Sequence, residues 1–160
     1  MTHAAEPKRD AQALLTDPAE MLQIVDGLAR AKSRQDIEAA LAIYHPHGVL
    51  EAPPLGSRKE GVAEIRAGLR RFFSLFPDYS VALDGHAVSG ATLVAWGTIA
   101  MTLSGRPEGQ VPNGRRAVLP VFILFRFRDG CVIWESFNFD LASLCRQSGV
   151  SLDAFPLASA

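Results

Sequence analysis

The chain has 160 residues, 48% of them hydrophobic and 21% charged, with 17 acidic against 16 basic side chains. That length suits one domain with a sizeable core, and a net charge of −1 lacks the basic footprint of a nucleic-acid binder. No apolar run reaches a membrane span, residues 1–10 (MTHAAEPKRD) lack the apolar centre of a signal peptide, and Cys131 and Cys145 form no disulfide or zinc motif, so a cytoplasmic protein is expected.

Residues 1–16 carry no hydrophobic period and are expected to form a mobile arm. Order begins at Asp17, which suits an N-cap, with Pro18 at the first helical position and Glu20 completing a capping box. Met21, Leu22, Val25 and Leu28 then share a helical stripe. Ser33 and Asp36 open a second helix through Ile37, Ala40, Leu41 and Tyr44, which His45-Pro46 ends. A short strand over Val49–Ala52 precedes Pro53-Pro54. The third helix has the clearest period, with Val62, Ile65, Leu69, Phe72, Phe73 and Phe76 on one face before Pro77-Asp78 stops it.

From there the pattern is that of strands: Tyr79–Val88, Leu93–Leu103, Arg116–Arg128 and Cys131–Phe139, with Asp129-Gly130 as a hairpin signal. A last helix, Leu141–Gln147, is capped by Asp140 and stopped by Gly149. Helices followed by a strand meander give an α+β class, with a domain over residues 17–150 and a tail over 151–160. The sheet is expected to be curved and antiparallel, wrapped around three N-terminal helices, with its concave side on the third helix and an apolar pocket between them.

Several short pieces in this order resemble the SnoaL-like polyketide cyclases of the NTF2-like superfamily. They are Phe76-Pro77-Asp78, the crossover GQVPNGRR (Gly109 to Arg116), the hairpin FRDGCVIW (Phe127–Trp134), and Asp140 followed by Leu144 and Arg146-Gln147-Ser148-Gly149. The resemblance implies a cone-shaped fold with an internal pocket and a homodimer formed through the outer face of the sheet. It also implies a small apolar, carbonyl-bearing ligand, no cofactor, and acid/base chemistry such as aldol cyclisation or isomerisation. The alternative is a non-catalytic module that binds a small ligand. An epoxide-hydrolase-like relay ranks below both, since only Asp140 flanks Arg126.

In the cyclases that this chain resembles, the Asp matching Asp140 acts as the acid/base. A carboxylate at an apolar pocket mouth is poorly solvated, and its pKa rises toward that of a useful base. Asp140 is equally well explained as the N-cap of the last helix. Alternation places Trp134, Ser136, Asn138 and Asp140 on one face of the last strand, expected to line the pocket, and Ile133, Glu135, Phe137 and Phe139 on the other. Ser136 and Asn138 could hydrogen-bond a ligand oxygen, or simply face solvent.

Arg126 stands where the cyclases often carry a His. It could bind an anionic oxygen, or be a solvated charge beside Glu135. Its face depends on the turn: a two-residue loop at Asp129-Gly130 sets it opposite Ile133, whereas a three-residue loop with Gly130 left-handed sets it with Trp134. The three-residue loop is the expectation. Glu51 is a further candidate lining residue. His45, His47 and Glu51 match no ligand spacing, and no metal is expected. Trp96 and Met101 read as core.

Overall fold

Asp17 caps α1 (Pro18–Ser33) by accepting from the Ala19 amide at 3.0 Å, with Pro18 opening the helix. This computed structural model describes residues 17–156, so the arm expected over residues 1–16 lies outside them. Arg34 to Asp36 turn the chain into the five-residue α2 (Ile37–Leu41), capped by Asp36. Ser33 belongs to the first helix rather than opening the second, and its hydroxyl accepts from the Val81 amide at 3.1 Å.

The second helix also stops short of Tyr44. That residue instead begins β1 (Tyr44–Ala52), because its side chain is drawn inward to the sheet. A Pro53–Leu55 turn leads to β2 (Ser57–Glu60), a polar strand without the apolar alternation that would reveal it in the sequence. Then follow α3 (Gly61–Leu75), β3 (Ser80–Ser89), β4 (Thr92–Thr102), β5 (Arg116–Arg128), β6 (Cys131–Phe139) and α4 (Leu141–Ser148).

The strands form one curved sheet in the order β2-β1-β6-β5-β4-β3. Five neighbours pair in it, and four of the pairs are antiparallel; β1 runs parallel to β6, a correction to the all-antiparallel expectation. These two strands are far apart in sequence, so no hairpin dictates their relative direction. The sheet bends where β3 carries a bulge between Leu83 and Gly85. Gly97 lies opposite, where a Cβ would stand 2.0 Å from the Ala82 carbonyl oxygen.

The concave face is the core. On β5 the odd-numbered residues from Ala117 to Phe127 are buried, and Val121, Ile123, Phe125 and Phe127 pair with Phe139, Phe137, Glu135 and Val132 of β6. Ile65, Leu69 and Phe73 of α3 and Met21, Val25 and Leu28 of α1 cover that face. The opposite, convex face carries Trp96, Val118 and Phe122 in the open; Trp96 is therefore a surface residue, while Met101 is fully buried as expected.

Asp129 and Gly130 are both left-handed, as a two-residue type I′ loop requires, and Arg128 pairs with Cys131. The expected three-residue loop is thus corrected. Phe127 then pairs with Val132 in regular register, and a bulge at Ile133 shifts the next pair, so that Arg126 faces Trp134. Arg126 does share a face with Trp134, but through the bulge rather than the turn. Over residues 151–156 the chain stays against the domain. Leu152–Ala154 forms a 3-10 turn, Ala154 is buried, and Phe155 stacks on Phe76 at 6.4 Å between ring centroids.

Candidate functional site

A cavity of about 500 Å³ opens on the concave side, between β1, β2, α3 and the 152–156 segment. Its walls are mainly apolar: Leu50 and Ala52 from β1, Leu69, Phe72 and Phe73 from α3, and Phe137 from β6. Tyr79 belongs to this aromatic wall, packed edge-on to Phe72 at 5.2 Å and to Phe137 at 6.2 Å. Pro107, Glu108 and Phe155 border the cavity, so the segment expected as a tail forms part of its wall.

The polar groups inside are few and organised. Lys32 lines the cavity, and its ammonium donates to both carboxylate oxygens of Glu135, at 2.7 and 2.8 Å. The Tyr44 hydroxyl donates to Glu135 Oε2, and Lys32 Nζ lies 5.6 Å from the centre of the Tyr44 ring. Glu135 is 1% exposed and Lys32 8% exposed, so this is an ion pair taken out of water. Such a pair is tolerable only when the geometry is good and the remaining lone pairs are satisfied. Lys32 and Tyr44 together meet that requirement for Glu135.

Tyr79 lines the same cavity, and its hydroxyl has no hydrogen-bond partner among the described residues. Burial, and then the negative charge of Glu135, push its pKa well above the ordinary phenol value. Tyr44 is raised for the same two reasons. At neutral pH both hydroxyls therefore keep their protons. Tyr79 is a donor aimed at the cavity, never a base there.

The residues singled out in the sequence lie elsewhere. Trp134, Ser136 and Asn138 alternate with Glu135, Phe137 and Phe139 and face the convex side. There the Arg126 guanidinium stacks on the Trp134 ring at 4.8 Å. Ser136 and Asn138 are linked to each other, the Asn138 amide donating to the Ser136 hydroxyl at 3.0 Å. Glu51 neighbours Ser136 across the parallel pair and forms an ion pair with Arg58. Asp140 is exposed and accepts from the Ser143 amide at 3.2 Å as the cap of α4, outside the cavity wall. The expected lining face is thus reversed, because α1 and α3 cover the other side of β6.

Lys32, Glu135, Tyr44 and Tyr79 were not selected from the sequence, yet two signals point to the first two. Lys32 continues the apolar stripe of Met21, Val25 and Leu28 at helical spacing, and Glu135 alternates with Phe137 and Phe139. A charge on each of two apolar faces is the mark of a buried pair. A shallower depression of about 330 Å³ between α1 and β3, beside Asp26 and Arg30, holds no comparable buried network.

Similarity to known proteins follows the same outline. TsrD from Streptomyces laurentii is 27% identical with a TM-score of 0.72, covering 86% of this chain and 100% of that one. A protein from a Jannaschia species, assigned as a SnoaL-like polyketide cyclase, is 19% identical with a TM-score of 0.73, covering 87% and 99%. A ketosteroid isomerase-like protein from Catenulispora acidiphila, solved with trimethylamine, is 18% identical with a TM-score of 0.72, covering 82% and 95%. No curated protein matches the chain. The SnoaL-like domain family matches residues 25–135, which run from the middle of α1 to Glu135 itself, and this chain belongs to that family.

Proposed function

We propose that the cavity takes a small, largely apolar molecule by a carbonyl oxygen and polarises it, in cofactor-free acid/base chemistry of the cyclase or isomerase kind. The observation that carries this reading is that two donors, Lys32 and Tyr79, line one cavity with the apolar side chains of Leu69, Phe72, Phe73 and Phe137. Aldol cyclisation and double-bond isomerisation both pass through an enolate: the α-proton leaves to water at the open mouth of the cavity, and the negative charge left behind sits largely on oxygen. Donors already held in a water-poor site stabilise that charge without reorganising. Glu135 fixes the Lys32 ammonium in place and balances its charge.

A second reading, a binding module without catalysis, has its own support. Both Glu135 oxygens accept from Lys32 or Tyr44, so neither is left free to face a ligand. The two readings separate in one measurement. With β-tetralone as probe in deuterated water, an enolising pocket accelerates deuterium uptake next to the carbonyl, and Lys32→Met and Tyr79→Phe each slow it. Tight binding of the ketone with no acceleration of exchange favours the module. The absence of both binding and exchange removes the pocket reading altogether.

We further propose that the chain dimerises through the convex face. Trp96, Val118 and Phe122 are 45%, 54% and 51% exposed there, on adjacent strands, and Trp96 pairs directly with Phe122. A contiguous apolar patch of this kind suits a second copy of the same surface.

A further inference from the structure

The cavity has a second polar feature, at its opening. Lys59 of β2 pairs with Leu50 of β1, and paired residues share a face of the sheet, so Lys59 is on the concave side with Leu50. Leu50 in turn pairs with Glu135 of β6. The three residues form one row across adjacent strands. A strand spacing of about 4.8 Å sets the Lys59 backbone about 10 Å from that of Glu135. The Lys59 stem crosses α3 at Gly68, where a Cβ would stand only 3.0 Å from Lys59 Cγ. A glycine inside a helix is unfavourable relative to alanine by about 1 kcal/mol. Here it leaves the channel in which the lysine lies.

Arg71 of α3 borders the same opening. Arg58 does too, but it is engaged by Glu51 and by Glu60 at 3.6 Å. Lys59 and Arg71 have no carboxylate partner among the described residues, and the only acid on the cavity wall is Glu108. The opening therefore presents two uncompensated cations about one small ring system away from the donors at the floor.

We propose that the ligand is a keto acid: its carbonyl meets Lys32 and Tyr79 at the floor, and a carboxylate at its far end meets Lys59 and Arg71 at the opening. The apolar body spans the aromatic wall between them. This rests on the floor reading above and adds the anionic group. Because the opening is solvated, its cations contribute selectivity that salt weakens.

The test uses a matched pair of probes, β-tetralone bearing a carboxylate on its aromatic ring and the methyl ester of the same molecule. Calorimetric titration of the whole chain is expected to show the acid binding roughly fivefold or more tightly than the ester, a preference that shrinks in high salt. The double substitution Lys59→Gln with Arg71→Gln is expected to erase the preference, bringing the acid to the affinity of the ester. Tyr79→Phe, which keeps the Lys32–Glu135 pair, is expected to weaken both probes alike. Equal affinity for acid and ester in the unaltered protein, or a preference that survives the double substitution, overturns the keto-acid proposal while the floor reading stands. If neither probe binds, or Tyr79→Phe weakens neither, the floor reading falls and the keto acid with it.

Discussion

The Lys32 ammonium donates to both carboxylate oxygens of Glu135, at 2.7 and 2.8 Å, across 103 residues of sequence. It joins the last turn of the first helix to the middle of the last strand, at the floor of the cavity. Removing one partner leaves a charge buried without compensation, which costs about 3–5 kcal/mol. Glu135→Leu and Lys32→Met are each expected to destabilise the fold by that order. The pair Lys32→Met with Glu135→Leu is expected to recover much of the loss. Urea denaturation of the four proteins closes the cycle, and additive losses would mean that the two side chains act independently.

The chain has two tyrosines, Tyr44 and Tyr79, and burial followed by the charge of Glu135 raises both above the ordinary value of 10. Above pH about 10 the unfolded chain holds fewer protons than the folded one, so stability falls as pH rises through that range. Below it the phenols are protonated in both states and contribute no pH dependence. Phenolate absorbance is expected to appear only together with loss of the circular dichroism of the fold. Phenolate forming near pH 10 in an intact fold would place a tyrosine in solvent.

Arg126→Ala removes a guanidinium stacked on Trp134 on the convex face. The expected loss is about 0.5–1 kcal/mol of stability, typical of an exposed cation–π pair. Ketone binding should be untouched. A marked fall in affinity without loss of stability would return Arg126 to the site.

Asp140→Ala should cost about 1 kcal/mol through the lost cap on α4, whereas Asp140→Asn should cost little, since Asn caps nearly as well. Neither change is expected to alter deuterium exchange in a bound ketone. A hundredfold slower exchange in Asp140→Asn with unchanged stability would make this residue the base after all.

Phe122→Lys places a charge in the middle of the exposed convex patch, opposite Trp96. Light scattering is expected to show a dimer for the unaltered chain and a monomer for the variant, both with the same circular dichroism. A monomer at high micromolar concentration in the unaltered chain would count against the interface.

Most elements are legible in the sequence because their signals are local. Ile65, Leu69 and Phe73 recur at helical spacing, and Asp17, Asp36 and Asp140 each cap the helix that they precede. The short polar strand Ser57–Glu60 is not legible, since its place depends on a neighbour rather than on its own pattern. On β6 the alternation sorts Trp134, Ser136 and Asn138 from Glu135, Phe137 and Phe139, and that sorting is correct. Which set lies inside is another matter. Both contain aromatic and polar groups, so composition does not choose between them. The choice falls to α1 and α3, which cover the Glu135 face and supply Lys32 from 103 residues away to neutralise the carboxylate. Periodicity is a property of neighbours along the chain and can be read there. The inward direction of a strand, and the partner that makes a buried charge bearable, exist only once distant segments have packed.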